Sequence, residues 1–225
     1  MDAILFDFDG VVVDSEPVHL ACFQRVLETV GLRLTEREYY EKYLGYDDHD
    51  CLLTAARDHG VELAERRIAH LTAVKTELVQ RAFGQSIEPM PGAVELIRAA
   101  AGEGVPLAIC SGALRGEIEL AARTVGVLEC FGAIVSAEDV ARGKPDPEGY
   151  IQARRRLEES LARPLAADRC VVVEDAPAGI DAGKAAGMKV LAVTTSYAAD
   201  HLAAADRIVA SLAEVTPADL RRLCT

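Results

Sequence analysis

Ala3-Ile4-Leu5-Phe6-Asp7-Phe8-Asp9-Gly10 is an apolar run that ends in two carboxylates one residue apart and then a glycine. A short apolar run bounded by turn chemistry reads as a strand buried on both faces, the kind found in parallel sheets. In open α/β sheets the ligand crevice lies beyond the carboxyl ends of the strands, so a turn at Gly10 puts Asp7 and Asp9 there. An acid that merely caps or turns the chain is the ordinary alternative.

Similar Val-, Ile- and Leu-rich runs recur at 106–110, 133–135, 170–173, 190–193 and 208–210. Between them, 91–104 and 177–187 open on proline and stop at glycine, the punctuation of helices. Alternation of this kind predicts an α/β fold with a doubly wound parallel sheet. Far more residues separate the first run from the second than a crossover needs, which predicts an insertion. Leu20, Phe23, Leu27 and Val30 stand at helical spacing, and 36–44, 48–59 and 65–83 continue the pattern. The expected division is a core of 1–14 and 88–225 with a helical insertion over 15–87, and the linkers near Ser15 and 84–90 read as a hinge.

Composition narrows the function. The 36 acidic and 24 basic residues among 225 give a formal charge of −12. That field repels nucleic acid and anionic membranes, so neither is expected as a partner. An anionic ligand then has to be drawn in by local cations, a metal or aimed amides. The six cysteines form no CxxC pair and read as reduced thiols. With no basic leader ahead of an apolar stretch and no apolar run near about 18 residues, the expected location is cytoplasmic. Arg154-Arg155-Arg156 reads as a solvated helix face. Nothing in the sequence sets the oligomeric state, and a monomer fits.

Three further patches carry chemistry. Leu107-Ala-Ile-Cys-Ser111-Gly112 ends an apolar run in a hydroxyl and a glycine, the composition of a phosphate cradle, although Ser111 also suits a helix N-cap. Lys144 sits in Gly143-Lys144-Pro145-Asp146-Pro147, a proline-stiffened loop from which an ammonium can neutralise phosphate or carboxylate, or simply face water. Val171-Val-Val-Glu174-Asp175 again ends in acids. They suit magnesium, which prefers oxygen ligands, while Asp175 alone suits a cap for the helix opening at Pro177. A carboxylate such as Asp7 can attack phosphorus and form an aspartyl-phosphate, with Asp9 as general acid and then base.

In their order and spacing these residues resemble the haloacid dehalogenase-like hydrolase superfamily over nearly the whole chain. The run Asp7-Phe-Asp-Gly-Val-Val-Val-Asp-Ser-Glu16 with a helical insertion after it is similar to the subgroup of β-phosphoglucomutase and small-metabolite phosphatases. The resemblance implies a Rossmann-like core with a mobile helical cap. It also implies Asp7 as nucleophile, Asp9 as acid/base, and Ser111, Gly112 and Lys144 on the phosphoryl group. Mg2+ falls to Asp7, the Asp9 carbonyl and Asp175, with Glu174 either a ligand or a supporting partner. A small phosphorylated metabolite is the implied substrate, and the second Asp argues against dehalogenation. The acidic loop Leu44-Gly-Tyr-Asp-Asp48-His-Asp50 departs from the mutase pattern, which has an arginine near Asp48. Hydrolysis is therefore favoured over a mutase, and both over a non-catalytic phosphate-sensing or partner-binding module. Glu16, His19, Tyr46 and His49 are candidate substrate contacts, each with a structural alternative.

Overall fold

The computed structural model describes residues 1–44 and 46–225; Gly45, in the acidic loop, lies outside the described residues. The chain forms two compact units, one of residues 1–14 with 87–225 and one of residues 15–86. It opens with β1 (Ala3–Phe6) and β2 (Val13–Asp14), followed by α1 (Glu16–Glu28), α2 (Glu36–Glu38), α3 (Asp48–Asp58) and α4 (Glu65–Gln85) of the second unit. The first unit resumes with β3 (Glu88–Pro89), α5 (Ala93–Gly102), β4 (Leu107–Cys110), α6 (Arg115–Thr124), β5 (Ala133–Val135) and α7 (Glu148–Leu161). It ends with β6 (Cys170–Glu174), α8 (Pro177–Ala185), β7 (Lys189–Val193), β8 (Arg207–Val209) and α9 (Pro217–Leu223).

The main sheet is parallel in the order β5-β4-β1-β6-β7-β8. Leu5 stands opposite Ala108 on one side and Val172 on the other. All four β1 side chains are fully buried, as a strand covered on both faces requires. Ala3 and Leu5 join Ala108, Val172, Tyr150 and Ile180 in one core layer. Phe6 meets Phe131 edge to face. Each such apolar side chain withdrawn from water contributes about 1.5 to 3 kcal/mol, which is what holds the strands in place.

The winding sets the site. From β1 the chain adds β4 and β5 on one flank and then returns to add β6, β7 and β8 on the other. The direction reverses beside β1, and a crevice opens at such a switch point. The ribbon of β2 with β3 is only two residues long in each strand, too short for a period to register, and was not expected from the sequence.

The second unit is helical. Ile68, Leu71, Lys75, Val79 and Phe83 form the buried face of α4, and Phe23, Leu27 and Leu52 share the core with its first half. The expected helix over 36–44 is instead one turn of α2, held by a Thr35–Glu38 capping box, running into a π-helical turn at Tyr39–Tyr43. Among the described residues no helix is long and apolar enough to cross a membrane.

Candidate active site

The strand ends deliver the site residues. The Asp7 amide donates to the Val173 carbonyl at 2.9 Å, and the Ser111 amide to the Val135 carbonyl at 3.0 Å. Both side chains therefore leave the sheet from its last rungs. Glu174 is the final residue of β6. Lys144, from the loop ahead of α7, donates from Nζ to Asp7 Oδ1 and Glu174 Oε1, each at 2.5 Å. Ser111 Oγ donates to Asp9 Oδ2 at 3.3 Å. Thus Asp7, Asp9, Ser111, Lys144, Glu174 and Asp175 come together from segments as far apart in sequence as Asp7 and Asp175.

Glu174 is fully buried and its acceptor directions are filled. Oε1 accepts from Lys144 and from Tyr150 Oη at 2.7 Å, and Oε2 from the amides of Asp175 at 3.0 Å and Ala176 at 3.2 Å. Such a carboxylate is an anchor for its neighbours. It leaves no room for a side chain on α8, where a Cβ on Gly179 would fall 1.7 Å from Glu174 Oε1. Alanine in place of glycine normally favours a helix by about 1 kcal/mol. Gly179→Ala should instead lower stability by about 3 kcal/mol, because neither Glu174 nor the helix backbone can yield. Thermal unfolding checks this, and an unchanged or raised midpoint would contradict it.

Charge is crowded here. Asp7, Glu174 and Asp175 bring carboxylate oxygens within 4.8 Å of one another. Burial, and then the Glu174 charge, push the Asp7 carboxyl well above the usual carboxylate range, against the pull of Lys144. Burial pushes Asp175 up to about 7, with the Ser196 hydrogen bond opposing and Glu174 adding. Burial alone would weaken the Lys144 ammonium, but Asp7 and Glu174 hold its pKa above the ordinary lysine value. One ammonium among these acids leaves negative charge uncompensated. The donor set is all oxygen, and Gly10, with a φ of +73° and no Cβ, lets Asp175 Oδ2 come close. These features fit a hard divalent cation. Ser196 Oγ donates to Asp175 Oδ2 at 2.5 Å, and Thr195 Oγ1 to the Gly10 carbonyl at 2.7 Å.

Several alternatives raised by the sequence are resolved. Ser111 is not an N-cap, since α6 is capped at Leu114; its Oγ accepts from the Ala113 amide at 2.9 Å instead. Gly112 accordingly lies in a loop, not at a helix start. Asp175 does not cap α8, whose N-cap is Ala176. The Arg154–Arg156 tract is not a freely solvated face, because Arg154 binds Glu158 and the Leu165 carbonyl, and Arg156 binds Asp139 and the Ile134 carbonyl. Tyr150, Thr195 and Ser196 were not singled out from the sequence, and no local pattern marks them.

The candidate substrate contacts of the second unit have partners within it. Glu16 Oε2 accepts from Tyr39 Oη at 2.6 Å. His19 is driven down to about 3 by burial and then by the Lys75 charge, so its neutral ring accepts from Lys75 Nζ at 2.6 Å. Lys75 also donates to Asp48 Oδ1 at 2.6 Å and is 1% exposed. It occupies an apolar slot in the spacing of α4, a signal that could have found it. The acidic loop is thus partly neutralised: Lys75 pairs Asp48, Asp47 caps α3, and His49 bridges Asp50 and Glu65. The group Asp47, His49 and Asp50 is accounted for by these contacts. The Tyr46 side chain is exposed and meets Tyr43 edge to face.

A family model described as haloacid dehalogenase-like hydrolase matches residues 1–187. Validoxylamine A 7'-phosphate phosphatase of Streptomyces hygroscopicus subsp. limoneus is 31% identical over 211 residues, 94% of each chain. Hexitol phosphatase A of Escherichia coli (strain K12) is 32% identical over 213 residues, 94% of this chain and 92% of that one. A crystal structure of a CbbY variant from Rhodobacter sphaeroides with xylulose-(1,5)bisphosphate aligns with a TM-score of 0.84 at 27% identity, covering 98% of this chain and 99% of that one.

Proposed function

The chain belongs to the haloacid dehalogenase-like hydrolases, and from that premise we propose a magnesium-dependent phosphatase that hydrolyses small phosphorylated metabolites through an aspartyl-phosphate on Asp7. The observation that carries this reading is the meeting of Asp7 with Lys144 and of Asp9 with Ser111 at the switch point of the sheet. Relatives named validoxylamine A 7'-phosphate phosphatase and hexitol phosphatase A support a small phosphorylated metabolite as substrate, and the reading takes sugar phosphates or phosphoglycolate-like esters as its class.

In the proposed reaction an Asp7 oxygen attacks phosphorus as the ester oxygen leaves, and Asp9 gives that oxygen its proton. Asp9 then takes a proton from the water that attacks the aspartyl-phosphate, which releases inorganic phosphate and restores Asp7. Ser111, the amides around Gly112 and the Lys144 ammonium balance charge on the equatorial oxygens throughout. Glu174 acts by holding Lys144, with its acceptor directions used up inside the protein. A magnesium ion held by Asp7, Asp175 and the Asp9 carbonyl would add positive charge at the transferring group. For Glu16, His19, Tyr46 and His49 the reading keeps a role in substrate selection, alongside the contacts each already makes.

The test is phosphate release from an aryl phosphate and a panel of phosphorylated metabolites. Release should need magnesium and fall by about 100-fold or more on chelation, returning when the metal is restored. Release that ignores the chelator would exclude the metal. Conversion of a hexose 1-phosphate into its 6-phosphate without free phosphate would replace hydrolysis by intramolecular transfer.

A further inference from the structure

The phosphoryl group of the proposed reaction is held from two loops that follow different strands. Ser111 and Gly112 lie after β4, and Lys144 lies between β5 and α7. Ser111, Gly112, Gly143 and Lys144 all line one cavity of about 420 Å3. The pairing of β4 with β5 places the bases of the two loops side by side, and hydrogen bonds beyond the strands link the loops further.

Among these links, one carboxylate, 18% exposed, gathers the most bonds. Asp139 Oδ2 accepts from the Ser136 amide at 2.8 Å, Ser136 Oγ at 2.9 Å and Arg115 Nη2 at 2.6 Å, and Oδ1 accepts from Arg156 Nη2 at 2.8 Å. Arg115 directly follows the Ser111 loop. Its amide binds Glu138 Oε2 at 2.8 Å, and the Ala137 amide returns a bond to the Ala113 carbonyl at 3.1 Å. On the other side, Gln152 of α7 donates to the Asp139 carbonyl at 3.0 Å and to Glu148 Oε1 at 3.2 Å. Glu148 in turn accepts from the amides of Ala141 at 3.1 Å and Arg142 at 3.2 Å, just ahead of Lys144. Arg115 and Arg156 also share the Ile134 carbonyl, at 3.1 and 2.6 Å.

We propose that Asp139 is a positioning residue that sets the spacing of the Ser111 and Lys144 loops, and through it the affinity of the site for a phosphoryl group; this rests on the phosphatase reading. Two guanidinium groups on one carboxylate form charge-assisted bonds of defined direction, which a neutral side chain does not replace. The Arg156 bond, together with Ser136 and Arg115 and against partial burial, holds the Asp139 carboxyl below the ordinary range. Asp139→Asn keeps the volume but turns an amide donor toward donors.

The experiment compares wild type, Asp139→Asn, Arg156→Lys and the control Asp219→Asn, whose carboxylate is ion-paired at the start of α9 and bonded to no site residue. Binding of inorganic phosphate is measured by calorimetry, with kcat, KM and the thermal midpoint alongside. For Asp139→Asn, phosphate should bind about tenfold more weakly and kcat/KM fall about ten- to a hundredfold, mostly in kcat, as expected when groups near a reacting centre are misplaced. Arg156→Lys should move both in the same direction by less. Asp219→Asn should lower the midpoint and leave both unchanged. Should Asp139→Asn not fold, Arg156→Lys decides. Values within about twofold of wild type in the Asp139 or deciding variant would overturn the proposal, as would equal losses in the control. Wild type that binds phosphate yet hydrolyses no ester would overturn the phosphatase reading alone, and wild type that binds none would overturn both.

Discussion

Asp7→Asn is expected to abolish phosphate release, by on the order of 10⁴-fold or more, without loss of stability. An amide is no nucleophile toward phosphorus, and the proposed reaction has no second group placed to take over the attack. The stability half of the expectation follows from geometry. Asp7 is one of three carboxylates crowded within 4.8 Å, and Lys144 keeps Glu174 as a partner when Asp7 becomes neutral. Removing one charge relieves repulsion and burial cost together, so the thermal midpoint should equal or exceed that of wild type. Aryl-phosphate hydrolysis and thermal unfolding, measured on the same preparation, check both halves. Residual activity within about tenfold of wild type would overturn the nucleophile assignment.

Lys144→Ala should fail in both respects. The ammonium is the cation that bonds Asp7 and Glu174 at once, and Glu174 is fully buried. Breaking a buried pair by removing one partner costs about 3 to 5 kcal/mol, since the charge left behind is uncompensated. The same change removes positive charge from the phosphoryl site, so kcat/KM should fall by about 10²- to 10³-fold or more. Added magnesium should restore part of the lost stability in this variant, since a ligand that binds the folded state raises the midpoint by mass action. A variant as stable as wild type, with or without magnesium, would show that Lys144 does not compensate the acids. The contrast is diagnostic: the Asp7 change removes chemistry alone, whereas the Lys144 change removes chemistry and fold stability together.

The main-sheet strands were legible as short apolar runs, and where the structure differs it is by a residue or so, as at Glu174, which extends β6. Asp7, Asp9, Ser111, Lys144 and Asp175 were legible because each stands at the end of such a run or in a proline-stiffened turn. What escaped were the residues that stand neither at the end of an apolar run nor in a proline-stiffened turn. Tyr150 reads locally as one more residue of α7, Ser196 as part of a polar loop, and Asp139 as an acid in Ser136-Ala-Glu-Asp139. Lys75 could have been found, because a lysine in the apolar register of α4 demands a buried partner.

By itself the sequence determined the alternation of strands and helices, the insertion after the first strand and the identity of the acids at the strand ends. Those depend on residues within a few positions of one another, where apolar period, proline and glycine act. Only the tertiary structure decided that β1 lies between β4 and β6, that Glu174 has its acceptor directions filled, and that Lys144 joins Asp7 across 137 residues of chain. A local pattern cannot encode which distant donor satisfies a buried carboxylate, because that choice is made when the core excludes water and each polar group left inside must find a partner.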